Sequence, residues 1–219
     1  MGKLILLRHF KSQWNLENRF TGWTDVPLAK EDAGKISEIS AFLSSAKIDI
    51  VYTSPLVRNM ASCLLALEKT NKYPIFRHFG GKMKEWGNFE ELASAYLPVF
   101  VSEALNERYY GKLQGLDKEE TMNKYGAEQV RLWRRSYDVA PPGGESLKDV
   151  YKRTIPFYQK NTENALKDGK NILIVASHNS LRAIIKYIER IADNDIINTE
   201  VPYAGLLGYE FRDGVYKKL

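Results

Sequence analysis

Two apolar runs set the terms on which this chain can fold. Leu4-Ile5-Leu6-Leu7 breaks directly into Arg8-His9, and Asn171–Ala176, NILIVA, breaks into Ser177-His178-Asn179-Ser180. Neither run shows the in–out alternation of a half-solvated sheet. Both therefore read as strands covered on two faces, as in the parallel sheets of α/β proteins. In such a sheet the carboxyl ends of the strands share one edge, where ligands bind, so His9 and His178 are expected to face one ligand together.

The intervening sequence supplies the other layers. Ala29, Ala33, Ile36, Ile39 and Phe42-Leu43 recur at helical spacing and predict a helix from Leu28 to Leu43, and Ile48–Tyr52 predicts a strand. Thr53-Ser54-Pro55 predicts a helix start with Ser54 as N-cap and Pro55 at the first helical position, putting Arg58 near that strand's carboxyl end. Pro74-Ile75-Phe76 is a candidate strand, but residues 69–103 as a whole read as an inserted, partly helical excursion. Helices are expected over 118–125 and 128–135, from Glu145-Ser146 after the break Pro141-Pro142-Gly143-Gly144, and from Leu181 to about Ile191; Leu206–Phe211 reads as a final edge strand. The order predicts one domain spanning 1–219, an α/β/α three-layer sandwich with a mostly parallel central sheet.

Composition narrows the class. With 219 residues, 44% of them hydrophobic, the chain is long enough to bury a full core, and four Trp, thirteen Tyr and nine Phe argue against disorder. No apolar run reaches membrane-spanning length, and the apolar stretch in MGKLILLRH is too short for a signal peptide, so a soluble cytoplasmic protein without membrane association is expected. The single cysteine, Cys63, excludes an intramolecular disulfide framework and a cysteine-based zinc cluster. A net charge of +5 favours anionic partners, but the positive charge is interspersed with acids, which argues against nucleic acid.

The same polar clusters suggest chemistry. Arg8, Arg58, Arg134 and Arg135 sit at loop or helix-end positions and offer forked cations suited to phosphate. A neutral imidazole at His9 could attack phosphorus, a second histidine could stabilise the transferring charge, and Glu107 could exchange the proton with the leaving and incoming oxygens. The arginines would supply the charge neutralisation that a metal performs elsewhere, and no HxH or HxxxH spacing is present, so no metal site is expected. Taken alone, Glu107 fits a loop ion pair better than an acid catalyst, and Arg134-Arg135 fits a solvated helix end better than a ligand site.

Longer motifs carry a resemblance. Arg8-His9, Ser12, Trp14-Asn15, Glu17-Asn18-Arg19-Phe20-Thr21-Gly22-Trp23, Leu105-Asn106-Glu107-Arg108 with Tyr110-Gly111, Leu113-Gln114-Gly115-Leu116, Trp133-Arg134-Arg135 and Asn179-Ser180-Leu181-Arg182 together resemble the cofactor-dependent phosphoglycerate mutases of the histidine phosphatase superfamily. The resemblance spans nearly the whole chain. It implies interconversion of 3-phosphoglycerate and 2-phosphoglycerate, in glycolysis and gluconeogenesis, through a phosphohistidine primed by 2,3-bisphosphoglycerate. It also implies His9 as phospho-acceptor, Glu107 as proton donor and Arg8 and Arg58 as the phosphoryl clamp; His178 is read as a further catalytic group from its place at the second strand end. Ser12, Asn15, Thr21, Gly22, Arg108, Tyr109, Tyr110, Lys118, Arg134, Arg135 and Asn179 would bind a small anionic phosphorylated substrate. A homodimer is left open.

The departures from the family pattern are specific. Phe10-Lys11 stands where the family has Gly-Glu, which sets a bulky side chain beside the nucleophile and is expected to impair turnover. Aligned without a gap, Ser177 takes the place of the family's second histidine and His178 that of the following glycine. Either the turn is rebuilt so that His178 reaches the phosphoryl group, or that imidazole is lost. Tyr109 replaces a frequent histidine, and the sequence ends at Leu219 without the family's C-terminal tail, a difference expected to favour leakage to water. The alternatives are thus a phosphatase of small phosphorylated metabolites using the same phosphohistidine, and a divergent, weakly active phosphoglycerate-binding protein.

Overall fold

A computed structural model describes residues 1–30, 33–87 and 94–219. The elements in chain order are β1 (Gly2–Arg8), α1 (Gln13–Leu16), α2 (Ala33–Ser45), β2 (Ile50–Thr53), α3 (Val57–Ala66), β3 (Tyr73–Arg77), α4 (Gly81–Trp86) and β4 (Tyr96–Val101). The second half holds α5 (Lys118–Tyr125), α6 (Ala127–Arg135), α7 (Leu147–Phe157), α8 (Asn164–Lys167), β5 (Asn171–Ala176), α9 (His178–Ile188), β6 (Leu206–Arg212) and β7 (Val215–Lys218). Among the described residues the sheet has seven strands in the order β3-β4-β2-β5-β1-β6-β7. The first five are mutually parallel, β6 runs antiparallel to β1, and β7 antiparallel to β6.

The period of two along the central strands divides the core. Leu4, Leu6, Ile172, Ile174 and Ala176 pack with Leu181, Ile184 and Ile185 of α9 and with Tyr158 just beyond α7, whereas Ile5, Leu7, Leu173 and Val175 pack against Ile39, Leu43, Cys63 and Ala66 of α2 and α3. Because alternate side chains of the same strands enter opposite clusters, the sheet lies between two helical layers. The expected sandwich is thus present, and β1 and β5 are adjacent central strands in register from Lys3↔Asn171 to Arg8↔Ala176. His9 leaves β1 with its N–H donating to Ala176 O at 3.1 Å, beside the point where Ser177 and His178 leave β5.

Several expectations are corrected. Helix α2 is described only from Ala33, and Leu28, expected to open it, instead bridges Ser12; residues 31 and 32 lie outside the described residues. Helix α3 begins at Val57 with Leu56 as N-cap; the Ser54 hydroxyl accepts from Asn59 Nδ2 at 2.6 Å, so it is engaged by the helix's third residue and not by its backbone N–H groups. Of the segment expected as an excursion, 73–77 and 96–101 are parallel sheet strands flanking α4, and its part at 88–93 lies outside the described residues. β4 was obscured by Pro98, which cannot donate to a ladder and argues against an internal strand. β6 is not the sheet edge, because Asp213-Gly214, both at positive φ, turn the chain back into β7. Helix α9 begins three residues before Leu181, at His178, with Ser177 at its N-cap.

Candidate active site

The carboxyl edge of the sheet opens into a cavity of about 320 Å³, the size of a small-metabolite site. It is lined by Arg8, His9, Asn15, Arg19, Phe20, Thr21, Gly22, Arg58, Glu107, Tyr110, Lys118, Arg134, Arg135, His178, Asn179, Glu200, Pro202 and Tyr203. Six cationic side chains therefore face two carboxylates, an imbalance that suits a multiply charged anion.

His9 is buried on its floor, and its Nδ1 lies 2.6 Å from Phe10 O. A carbonyl can only accept, so Nδ1 carries the proton and Nε2 holds a free lone pair. Burial, reinforced by the charges of Arg58 and Arg8, holds the His9 pKa well below its ordinary value, so the ring is neutral and nucleophilic at neutral pH. The Phe10 ring expected beside the nucleophile is instead in the core with Ile5, Leu7, Ile39 and Leu43, and its N–H donates to Ser62 Oγ at 2.9 Å. The obstruction anticipated from the sequence is absent because the side chain points to the far side of the turn.

Arg58, the second residue of α3, is almost wholly buried and donates to Gly22 O at 2.6 Å and Thr24 O at 3.1 Å. It thereby fixes the Thr21-Gly22 loop against the sheet edge. Gly22 has φ +56° and a Cβ there would meet Gln114 Oε1 at 2.2 Å, so glycine is required on both counts. The Arg8 guanidinium stacks 3.6 Å from the Tyr203 ring centroid and donates to Val201 O at 2.5 Å.

Glu107 accepts from Arg108 N at 2.7 Å and from Asn179 Nδ2 at 2.6 Å. Burial alone would raise its pKa, but His178, the Asn179 amide and Arg108 together outweigh burial and hold it below the usual carboxylate value. Its carbonyl is gripped from behind by Trp23 Nε1 at 2.5 Å and Arg153 Nη2 at 3.0 Å, and Arg153 is itself paired with Glu145. Lys118 is pulled down to about 8 by burial, then by Arg134 and Arg8.

The second imidazole stands at the cavity wall. Ser177 is wholly buried, its hydroxyl accepting from Asn59 Nδ2 at 3.0 Å, while His178 lines the cavity as the first residue of α9. The turn therefore delivers His178 to the same cavity as His9. Its Nε2 lies 3.1 Å from Glu200 Oε2 and 3.4 Å from Arg135 Nη1. The carboxylate must accept, so Nε2 carries the hydrogen. Burial, partly offset by the bond to Glu200, lowers His178 to about 4 and leaves it neutral at pH 7.

Three expected binding residues do not line the cavity. Ser12 is buried beneath it, its hydroxyl 2.9 Å from Asn15 Oδ1. Arg108 is wholly buried and donates to Asn179 Oδ1 at 2.9 Å and to Arg134 O. Tyr109 is exposed, edge-on to Trp23. Conversely, Arg19, Phe20, Glu200, Pro202 and Tyr203 line the cavity without having been expected. The last three belong to the loop before β6, which ends at the cavity because β6 is antiparallel to β1 and begins opposite Leu7.

A sequence profile of the histidine phosphatase superfamily (branch 1) matches residues 4–96 and 88–218. The chain belongs to this superfamily. Within it, the chain is 42% identical to a 2,3-bisphosphoglycerate-dependent phosphoglycerate mutase of Methanococcus vannielii, over 100% of this chain and 94% of that protein. It is 42% identical to another so named from Protochlamydia amoebophila, over 100% and 99%. Among solved structures, Bacillus stearothermophilus YhfR superposes with a TM-score of 0.77 at 19% identity, covering 100% of this chain and 95% of that one. The native mycobacterial glucosyl-3-phosphoglycerate phosphatase superposes at 0.77 and 17%, covering 99% and 96%. At these identities the superpositions speak for the fold alone.

Proposed function

We propose that this member of the superfamily interconverts 3-phosphoglycerate and 2-phosphoglycerate, a step of glycolysis and gluconeogenesis, as a 2,3-bisphosphoglycerate-dependent mutase. The observation that carries the reading is the neutral, buried His9, with Nδ1 tied to a carbonyl and Nε2 free, on the floor of an arginine-lined cavity. Full-length identity to proteins bearing the mutase name supports it.

The donor set fits a doubly phosphorylated three-carbon acid. Arg8 Nε and Thr21 Oγ1, both on lining residues, are buried and have no hydrogen-bond partner among the described residues, and Lys118, Arg134 and Arg135 extend the cationic lining. When bound, 2,3-bisphosphoglycerate supplies the phosphoryl group that primes His9. His9 Nε2 forms a bond to phosphorus as the phosphorus–oxygen ester bond breaks, and Arg8 and Arg58 hold the charge on the equatorial oxygens. Glu107 is a carboxylate in the free protein. An arriving dianion raises its proton affinity, so it can protonate the departing sugar-acid oxygen and later take the proton from the hydroxyl that attacks phosphohistidine. His178 lines the same cavity with its Nε2–H engaged by Glu200, and Asn15, Gly22, Tyr110 and Asn179 shape the remaining wall.

An enolase-coupled assay with 3-phosphoglycerate and 2,3-bisphosphoglycerate tests the reading. Turnover is expected in the wild type and not in His9→Ala; equal rates in the two would overturn it.

A further inference from the structure

A carboxylate is out of place on the wall of an anion cavity, and Glu200 is such a residue. It lines the cavity with its side chain about half exposed, forming an ion pair with Arg135 through Oε1 while Oε2 accepts from His178. The hydrogen bond from His178, followed by that from Arg135, overcomes the opposing effect of burial and lowers Glu200 to about 2, so it is charged at any working pH. Its loop is anchored: Arg8 Nη1 donates to Val201 O at 2.5 Å and Ala204 N donates to His9 O at 3.3 Å. Glu200 is thus kept at the cavity by the same residues that build the nucleophile's surroundings. Among the described residues, Arg135 is the one lining cation in an ion pair with a carboxylate that lines the same cavity.

The geometry points to Glu200 as a specificity-determining residue, an internal carboxylate that a ligand's second anionic group must displace to reach Arg135. A lone phosphoryl group held by Arg8, Arg58 and His9 does not meet that competition. The proposal rests on the phosphorylated-ligand reading above and adds to it that the cost falls selectively on ligands with two anionic ends. Arg135 then rewards a second anion by the difference between that anion and Glu200, and not by its full attraction.

Glu200→Gln tests this, because it retains an acceptor for His178 while removing the charge. Isothermal titration of wild type and variant with 3-phosphoglycerate and with inorganic phosphate gives the selectivity directly. In the variant, 3-phosphoglycerate should bind about tenfold tighter, and inorganic phosphate should change by less than about twofold. Glu200→Ala should show the same selective gain, with thermal melting confirming that both variants are folded. Equal tightening of the two ligands would reduce Glu200 to a general field and overturn the proposal, as would weaker binding of 3-phosphoglycerate. Wild type that binds neither ligand removes the phosphorylated-ligand reading itself; wild type that binds both, with variants of unchanged selectivity, removes this proposal alone.

Discussion

Asn179 is the residue whose loss the structure allows to be worked through furthest. It is the second residue of α9 and almost wholly buried. Its Oδ1 accepts from Arg108 Nη2 at 2.9 Å and Arg182 Nη1 at 3.0 Å, while Nδ2 donates to Glu107 Oε1 at 2.6 Å and lies 3.3 Å from the Tyr110 hydroxyl. One amide therefore separates two buried guanidinium groups and holds a buried carboxylate. Asn179→Ala removes two hydrogen bonds from charged donors, each worth roughly 1.5–3 kcal/mol, or roughly 3–6 kcal/mol together. Both arginines keep carbonyl acceptors, Arg134 O for one and Arg135 O and Ile196 O for the other, which favours the lower part of that range. With a urea m-value of about 2–3 kcal/mol/M, the unfolding midpoint should fall by about 1–2 M. Activity should change in a defined direction. The Asn179 amide is one of the groups depressing Glu107 in the free protein, so its removal raises that carboxyl, and the acid limb of the kcat/KM profile moves to higher pH. A midpoint within about 0.3 M of wild type, together with an unmoved acid limb, would refute the reasoning.

Two further predictions follow from burial and charge. Phe10→Ala should cost about 3–5 kcal/mol in denaturant unfolding, because it empties a core position, and should not raise kcat; a faster variant would restore the idea that the ring crowds the nucleophile. Lys118, depressed to about 8, should lose its charge as the pH rises through that value, so KM for a phosphorylated substrate should climb across the range from about pH 7 to 9, while Lys118→Met should show a higher KM without that climb. A wild-type KM independent of pH over this range counts against Lys118 as a ligand.

Much of the frame was legible in two strands. The unbroken runs before His9 and Ser177 signalled a doubly covered parallel sheet, and the register of Arg8 with Ala176 brings the residues after both strands together. Local signals also carried α5 and α7, where Asp117 and Ser146 accept backbone N–H bonds at the caps. What escaped was set by distant parts of the chain. Pro98 argues against an internal strand, yet β4 forms because Leu97 and Val99 bury against the α2–α3 layer. Arg108 reads as a ligand in a linear motif, but its side chain turns inward to Asn179 and the Arg134 carbonyl, contacts made with residues far along the chain. Glu200, Pro202 and Tyr203 carried no local motif. Their place follows from the antiparallel pairing of β6 with β1, which returns the preceding loop to His9.

Phe10 illustrates how a substitution that looks obstructive in one dimension can be supportive in three. The residue after the nucleophile is held at three points: its ring in the core, its N–H on Ser62 Oγ, and its carbonyl against His9 Nδ1. The first two fix where the third lies. A carbonyl so fixed selects the Nδ1–H tautomer of His9 and with it the free Nε2 that attack on phosphorus requires. A small residue would leave the backbone approach open, but it would lose the apolar anchor, which here is buried almost as completely as Leu4 or Leu7. The expected consequence of shrinking Phe10 is therefore a looser tautomer lock together with a weaker core, and it follows from the direction of the side chain and not from its size.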